Sequence, residues 1–316
     1  MTVITGGTGF IGAHLIEMMA AAGEAVRAVV RRDAAFPPGV QPARCDLTQP
    51  GSLNEALRGA DTVIHLAGVT KALRAADYYA GNLTATENLA RAAAGRGLRF
   101  VHVSSLAAAG PSPDGRPISE DAEPRPVTHY GKSKLEAERA VRHSLPDAVI
   151  VRPPVVYGPR DRDVFQLLKA ISKGLVLEIA GGERWFSAIY VKDLCAGLVA
   201  AACSPRAAGR TYFLSHPKPL SWTEFGATAA RILGRTPRVV KIPIPVAQAA
   251  GAFAEMWSRA AGTPGIISRD KIREARCTHW TCDTRRATEE LGFTPRTDIE
   301  AGLAETLAWY KGAGWL

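Results

Sequence analysis

The chain has 316 residues, of which 47% are hydrophobic and 22% charged, as is typical of a globular protein with a sizeable core. The net charge of +9 is spread along the chain, which argues against a nucleic-acid partner, and no apolar run approaches the roughly 18 residues of a membrane span. Five scattered cysteines without a CxxC pair indicate neither a disulfide framework nor a metal site. Because a strand directly follows Met1, we expect no signal peptide and a cytoplasmic protein.

The first predicted element is a strand over residues 2–5, which runs into three glycines at the start of an apolar helical pattern. Gly6 permits a sharp turn, Gly9 lets backbone N–H groups approach an anion, and Gly12 lets the helix pack on its strand. An ordinary turn with permissive glycines is the alternative. The order of strand, glycine turn and helix favours a site for a dinucleotide pyrophosphate. The predicted cofactor contacts here are Gly6, Thr8, Gly9, Phe10, Ile11 and Gly12.

The residues that follow the second predicted strand (25–30) indicate which cofactor is used. An acidic residue there would accept the ribose 2′-hydroxyl of NAD, whereas arginine favours the 2′-phosphate of NADP. Arg31 and Arg32 occupy these positions, and Asp33 comes too late. The pattern predicts NADP(H), with NAD possible and two solvated loop arginines as the alternative. A third strand is predicted over residues 45–47, so that Asp46 and Leu47 reach the adenine side of the cofactor.

Strands continue to alternate with helices through residue 151, which predicts an α/β fold with a doubly wound parallel sheet of the Rossmann type. Ligands of such sheets bind beyond the carboxyl ends of the strands. A strand over 62–66, a helix over 79–94 and a strand over 99–103 supply further contacts. The cofactor contacts expected there are Leu66, Ala67, Gly68, Asn82 and Val103, with Val69 expected to touch the substrate.

A strongly helical stretch begins at Tyr130, and Lys134 lies four residues later on the same face. A tyrosine that exchanges a proton near neutral pH needs its pKa lowered from about 10, and an ammonium group one turn away can stabilise the phenolate. A surface helix with an exposed ion pair is the alternative. Ser105, at the end of the preceding strand, would hold the substrate oxygen, with Ala107 beside it.

Together these motifs resemble the extended branch of the short-chain dehydrogenase/reductase superfamily over most of the chain. Residues 5–12 match its TGxxGxxG turn, residues 130–134 its YxxxK motif and residues 152–159 its RPxxVYGP segment. The resemblance implies Tyr130 as general acid/base, Lys134 as the ribose-holding group and Ser105 as the catalytic serine, with Ser104 as the neighbouring alternative. It implies hydride transfer between nicotinamide C4 and a carbonyl or carbinol carbon. Further implied contacts are Pro153, Val155 and Val156 to the cofactor and Tyr157 and Phe186 to the substrate.

We predict a dinucleotide-binding domain over residues 1–155, onto which residues 187–214 pack back, and a substrate-binding region over 156–316 with a small α/β cap. The family resemblance implies a homodimer through the helices around 79–94 and 130–143. An apolar helix over 245–260 could line a pocket, touch a membrane, or serve packing or a dimer contact, and the sequence leaves these alternatives open.

Two departures from the nucleotide-sugar enzymes of this branch bear on the substrate. Val155 stands where they usually have Asn, and Phe186-Ser187-Ala188 stands where they usually have an Arg-Asp-Phe-like run, although Arg184 could compensate. The chain is therefore more similar to dihydroflavonol reductases and 3β-hydroxysteroid dehydrogenases. We predict an NADP(H)-dependent oxidoreductase for an apolar small molecule, a ketone, aldehyde or secondary alcohol without a nucleotide handle. The alternatives are a nucleotide-sugar epimerase or dehydratase with tightly held cofactor, and a non-catalytic NADP-sensing protein.

Overall fold

A computed structural model describes residues 1–263, 265 and 268–316. Strands alternate with helices from the start of the chain. The strands are β1 (Thr2–Thr5), β2 (Val26–Val30), β3 (Gln41–Arg44), β4 (Thr62–His65), β5 (Arg99–Val103), β6 (Val149–Val151), β7 (Val155–Tyr157), β8 (Leu175–Ile179), β9 (Trp185–Phe186), β10 (Ala188–Tyr190), β11 (Thr211–Tyr212), β12 (Leu220–Ser221), β13 (Arg238–Ile242) and β14 (His279–Trp280).

The helices vary from one turn to five. They are α1 (Phe10–Ala21), α2 (Leu53–Ala56), α3 (Ala75–Tyr78), α4 (Ala85–Ala93), α5 (Leu106–Ala109), α6 (His129–Ser144), α7 (Asp163–Ser172), α8 (Val191–Cys203), α9 (Trp222–Ile232), α10 (Ile244–Ala261), α11 (Arg269–Arg276), α12 (Arg285–Leu291) and α13 (Ile299–Gly312). A π-helical turn, Tyr79–Thr84, joins α3 to α4, and short 3₁₀ turns lie at Pro50–Ser52 and Pro205–Ala207. No described helix is long and apolar enough to cross a membrane.

A seven-stranded parallel sheet with the order β11-β6-β5-β4-β1-β2-β3 forms the centre of the molecule. The chain winds outward from β1 in both directions, so β1 and β4 are neighbours although two strands separate them in sequence. This reversal opens a crevice at their carboxyl ends, where ligands of such sheets bind. The predicted fold class is confirmed.

Alternating side chains of the central strands build a core on each face of the sheet. Val3, Val63 and Phe100 join the cluster that α4 and α6 cover, and the residue after each of them joins the cluster that α1 and α8 cover. All are nearly inaccessible to solvent. Because both faces are covered, the strands are apolar throughout rather than alternating with polar residues.

The chain leaves the central sheet after β6 and returns to it through α8 and β11. Helix α8 packs on β4, β5 and β6, and β11 pairs with β6 at the edge of the sheet. The remaining strands form small separate sheets, β7 with β10, β8 with β13, and β9 between β12 and β14.

The third strand differs from the sequence expectation. It forms at Gln41–Arg44, and the predicted residues Cys45 and Leu47 lie just beyond it, although both are buried. An edge strand tolerates Pro42 and exposed side chains, so it carries no apolar pattern to read. The sequence Ser52-Leu53-Asn54-Glu55 is typical of a capping box, but none forms, because the Ser52 hydroxyl donates to the Gln49 carbonyl and contacts Cys45.

Candidate functional site

The glycine turn after β1 is so tightly packed that Gly6 and Gly12 have no room for a side chain. The Gly9 amide donates to the Gly6 carbonyl at 2.9 Å, and a Cβ at Gly12 would lie 2.3 Å from that same oxygen. Gly6 adopts φ +73°, and a Cβ there would lie 2.7 Å from the Ala67 amide nitrogen. Thr8 and Gly9 stay exposed at the N-terminus of α1. This backbone cradle suits a pyrophosphate, because a helix N-terminus and close N–H groups attract anions.

A buried chain of hydrogen bonds joins the ends of β1 and β4. The Thr5 hydroxyl accepts from the Ala67 amide at 3.2 Å and shares a 2.7 Å hydrogen bond with His65. The other ring nitrogen of His65 lies 2.8 Å from the Thr86 hydroxyl of α4. Burial lowers the pKa of His65 to about 3, so the ring is neutral. This network fixes the segment 66–69, which contains Leu66 and Gly68, against the glycine turn.

Asn82 holds the same segment from the other side. Its amide oxygen accepts from the Val69 N–H at 2.7 Å, and its amide nitrogen donates to the Val69 carbonyl at 3.0 Å. The amide nitrogen also donates at 2.9 Å to Ser133, whose hydroxyl donates at 2.7 Å to the Tyr130 carbonyl. Asn82 is completely buried and lies in the π-helical turn. Asn82 thus connects the crevice to helix α6; the role of the intervening Ser133 was not predicted from the sequence.

Three predicted catalytic side chains come together between α5 and α6. Ser105 caps α5, with its hydroxyl accepting from the Ala107 amide at 3.1 Å, and its side chain lies close enough to Tyr130 to lower the pKa of that phenol in part. A Cβ at Gly131 would lie 2.2 Å from the Ala107 carbonyl oxygen, so this glycine allows the two helices their close approach. Lys134 is buried, and its ammonium donates to the Val103 carbonyl at 2.7 Å.

Burial is the largest influence on the electrostatics of this group. Burial raises the pKa of Tyr130, while the Ser105 hydrogen bond and the positive charge of Lys271 lower it in part. Burial also lowers the pKa of Lys134 to about 8, against the opposing effect of Glu138. The side chains of this protein alone therefore leave Tyr130 protonated at neutral pH, a form that can donate a proton.

Ser104 has a different environment from Ser105. Its hydroxyl donates to the carboxylate of Glu138, which also receives two hydrogen bonds from Arg152 at 2.9 and 2.6 Å. Ser104 is thus occupied within a buried ion-pair network, and Ser105 is the serine that faces Tyr130. The sequence suggested no such network, since Arg152 was read only as part of the segment after β6.

Helix α11 lies against the start of α6, an arrangement that sequence reasoning missed. The Asp270 carboxylate accepts from the His129 amide at 2.9 Å, one residue before Tyr130. The ring centroid of Tyr78 lies 6.2 Å from that of Tyr130. No motif in α11 indicates this, because its residues are charged in a way common to exposed helices.

The residues predicted to contact the adenosine half lie at the same edge of the sheet. Arg31 and Arg32 are exposed directly after β2. The Asp46 carboxylate accepts from the amide and hydroxyl of Thr48 at 2.9 and 2.7 Å, and these hydrogen bonds lower the pKa of Asp46. Leu47 is buried. Both arginines are open to solvent, as is Arg44 at the end of the neighbouring strand β3.

The predicted contacts after β6 fall into two groups. The Pro153 carbonyl accepts from the Leu106 amide at 2.9 Å, and Val155 and Val156 are half-buried in β7. Tyr157 and Phe186 are 2% and 3% exposed. Tyr157 packs on Tyr190 and Gly302, and Phe186 stacks on Trp222 at 4.5 Å. Direct substrate contact by these two aromatic residues stays a prediction.

Arg184 is the one arginine that could have replaced a diphosphate-binding residue. It is buried, and its guanidinium donates to the carbonyl oxygens of Ile179, Gly182, Ala180 and Ala275 at 2.5 to 3.2 Å. It lines a cavity of about 240 Å³ together with Leu167, Leu177 and Trp222. None of the cavity's lining residues belongs to the Ser105–Tyr130–Lys134 group.

Comparison with known proteins gives consistent matches over the whole chain. The profile of the NAD dependent epimerase/dehydratase family matches residues 2–214. A ceramide reductase from Caulobacter vibrioides is 33% identical over 320 residues, covering 100% of this chain and 96% of that protein. A 4-hydroxy-2-methyl-3-oxo-4-farnesyl-3,4-dihydroquinoline-1-oxide ketoreductase from Stigmatella aurantiaca is 30% identical, covering 96% of this chain and 94% of that protein. The solved structure of MoeE5 in complex with UDP-glucuronic acid and NAD has a TM-score of 0.78 at 26% identity, covering 99% of each chain.

Proposed function

This chain belongs to the NAD dependent epimerase/dehydratase family and is an NAD(P)-dependent enzyme of the extended short-chain dehydrogenase/reductase type. We propose that it is an NADP(H)-dependent oxidoreductase that interconverts a ketone or aldehyde and the corresponding alcohol. We further propose that its substrate is apolar and carries no nucleotide.

The Ser105–Tyr130–Lys134 group supports the reaction. The nicotinamide cofactor, when bound, supplies or accepts the hydride. Tyr130, protonated because burial raises its pKa, donates its phenolic proton to the carbonyl oxygen during reduction. The Ser105 hydroxyl donates to that oxygen and stabilises its developing negative charge. Lys134 holds a ribose hydroxyl and, as a cation, stabilises the phenolate that remains.

The proposed preference for NADP(H) is based on the residues that directly follow β2 at the edge of the sheet. The glycine turn would hold the pyrophosphate, and Arg31 with Arg32 would hold a 2′-phosphate, because guanidinium groups form charge-assisted hydrogen bonds with phosphate. The MoeE5 structure is described with NAD, so NAD is the alternative that a binding measurement has to separate from NADP.

The hydrogen bonding of the Arg184 guanidinium is the main support for the proposed substrate class. The guanidinium donates to four backbone carbonyl oxygens and is buried, so recruiting it to a diphosphate would leave these acceptors unpaired. The adjoining cavity is lined by Leu167, Leu177 and Trp222 and also by two glutamates, whose carboxylates would repel a diphosphate. The Caulobacter and Stigmatella relatives described above bear names that contain a long hydrocarbon group, a ceramide and a farnesyl quinoline. These points favour a lipid-like ketone.

Calorimetric titration tests the two halves of the proposal separately. Cofactor-stripped protein should bind NADP⁺ and then give no heat with UDP-glucose or other sugar nucleotides. Consumption of NADPH should then follow addition of a long-chain ketone presented in detergent micelles. Tyr130→Phe is the matched control, since it should bind NADP⁺ unchanged and lose turnover. Clear binding of a UDP-sugar would reject the substrate proposal and favour a nucleotide-sugar epimerase, as the likeness to MoeE5 suggests.

A further inference from the structure

One exposed face of α10 is entirely apolar, which is the reverse of the usual surface helix, and the polar Gln248 and Arg259 are exposed outside it. Seven side chains fall within about 120° of arc at 3.6 residues per turn, and all of them are exposed. The four large ones are between 56% and 69% exposed. The seven residues of this apolar face are Val246, Ala249, Ala250, Phe253, Met256, Trp257 and Ala260. The opposite side of the helix packs on protein through Ala247 and Gly251.

The apolar face belongs to a larger concentration of exposed hydrophobic side chains. Among the described residues, every exposed large hydrophobic side chain lies in α10, β8 or β13. Strand β13 pairs with β8, placing Val240 opposite Leu177, and runs directly into α10 through Pro243. Leu177 is 49% exposed and also lines the cavity beside Arg184. Leu177 thus connects the cavity with the exposed apolar side chains of the β8–β13 sheet.

Basic residues surround this surface. Residues 235–276 contain eight Lys or Arg and three Asp or Glu. Each of the three acids is paired within the segment, Glu255 with Arg259 and Arg269, Asp270 with Arg273, and Glu274 with Lys271. Within the described part of the chain, four exposed cations of the segment form no ion pair: Arg235, Arg238, Lys241 and Arg276. The surface thus offers uncompensated positive charge beside apolar area.

We propose that α10 docks this protein on the surface of an anionic phospholipid bilayer, lying in the interface with its apolar face among the acyl chains. An interfacial helix combines a Trp- and Phe-bearing face with flanking Lys and Arg, as this one does. Docking of a second copy through the same face would bring two sets of unpaired cations together, whereas an anionic lipid surface neutralises them. The unpaired positive charge therefore favours an anionic membrane over a second copy of the chain as the partner of the apolar face.

Two contacts connect the docked helix to the catalytic group. Ile272 of α11 packs against Gly251 of α10, where a Cβ would lie only 2.7 Å from it. Asp270 of α11 accepts a hydrogen bond from the His129 amide, next to Tyr130. Helix α11 thus lies between the docked helix and the start of the catalytic helix α6. The docking surface itself stands independently of the catalytic proposal, because it requires no turnover.

Sedimentation with vesicles tests the proposal on the full-length protein. The wild type should bind vesicles of phosphatidylcholine with about one-third phosphatidylglycerol and bind pure phosphatidylcholine far more weakly. The triple variant F253S/M256S/W257S should lose binding to both while keeping its thermal transition and NADP⁺ affinity. R235Q/R238Q/K241Q should weaken anionic-vesicle binding by on the order of 100-fold, at about fivefold per charge.

A matched charge control separates local from general electrostatics. R139Q/R206Q/K311Q removes three exposed cations elsewhere and should bind vesicles as the wild type does. The proposal is overturned if the wild type ignores anionic vesicles, if the apolar triple variant binds them undiminished, or if both charge variants weaken binding equally. It is also overturned if light scattering shows a wild-type dimer that the apolar triple variant converts to a monomer, because a second copy would then be the occupant.

Discussion

Glu138 and Arg152 form a bidentate ion pair in the interior, with side chains only 5% and 6% exposed. The pair lies one helical turn from Lys134, and the negative charge of Glu138 raises the pKa of Lys134 against the effect of burial. The Glu138 carboxylate also accepts a hydrogen bond from the Ser104 hydroxyl. A single buried carboxylate thus fixes the end of β6, orients the serine before Ser105 and helps to keep the lysine charged.

Glu138→Gln should therefore destabilise the fold and alter Lys134 together. Removing one partner leaves the Arg152 guanidinium buried without a counter-charge, which costs about 3–5 kcal/mol in free energy of unfolding. The same change should move the pKa of Lys134 below its present value of about 8, because Glu138 raises it. Urea denaturation and the alkaline limb of cofactor binding measure the two effects. Glu87→Gln, which breaks an exposed pair with Arg91, is the control and should change neither.

Replacing each neighbouring serine separately should give different losses. Ser105→Ala removes the hydroxyl beside Tyr130, so kcat for reduction should fall by about 10²-fold while the thermal transition is retained. Ser104→Ala leaves Glu138 short of one buried donor, so stability should fall by about 1–3 kcal/mol with kcat largely preserved. Steady-state kinetics and thermal denaturation of both variants decide this. Equal kcat losses would show that the serine assignment is wrong.

The features that were predicted from the sequence are those that short-range residue patterns determine. The glycine turn, the apolar strands and the four-residue spacing of Tyr130 and Lys134 are all local, and the structure forms a doubly wound sheet with these side chains at one edge. The family assignment was confirmed by the match over residues 2–214. The roles assigned to individual site residues stay predictions.

What the sequence could not give depends on contacts between distant elements. The hydrogen bond from His129 to Asp270 joins residues 141 positions apart, and neither residue belongs to a motif. The exposed strand β3 has no apolar alternation, so its register could not be read. The burial that raises the pKa of Tyr130 could not be predicted either, because spacing along a helix reports neither burial nor the Val103 carbonyl that holds the Lys134 ammonium.

The two directions of the reaction should respond oppositely to pH. Reduction needs protonated Tyr130, whose raised pKa keeps it protonated through neutral pH, so its rate should be flat below pH 8. It should decline as pH rises through about 8, where Lys134 loses its proton. Oxidation needs the phenolate and should rise with pH. Pre-steady-state rates in both directions between pH 6 and 10 test this, and a reduction rate that climbs from pH 7 to 9 would contradict it.

Arg31→Ala should weaken binding of NADPH more than that of NADH. A guanidinium in direct contact with the 2′-phosphate contributes on the order of 1.5–3 kcal/mol, equivalent to roughly 10- to 150-fold in Kd. Arg31 is exposed directly after β2, so the substitution should leave the fold intact. Fluorescence titration with both cofactors gives the ratio. Arg139→Ala, exposed on α6, is the matched control, and equal losses for both cofactors in Arg31→Ala would show that Arg31 does not contact the phosphate.

Acid should destabilise the protein through two buried histidines whose rings lie 5.3 Å apart. Burial lowers the pKa of His65 to about 3 and that of His102 well below its usual value, and His102 has no hydrogen-bond partner in the described structure. In the unfolded chain both titrate near 6.5, so below that pH the unfolded state binds more protons and the free energy of unfolding falls. The contribution of His65 is about 1.4 kcal/mol per pH unit between 6.5 and 3.

Urea denaturation at pH 7.5, 6.5 and 5.5 should therefore show stability falling as the pH drops below 6.5. Because buried carboxylates add to the same trend, the decisive quantity is the difference in slope between variants. His102→Leu removes one neutral ring and its two unpaired nitrogens, so its stability should depend less steeply on pH than that of the wild type. His143→Gln, at an exposed position of α6, should keep the wild-type slope. If all three proteins share one slope, His102 is not held neutral by the fold, and the acid sensitivity arises from other groups.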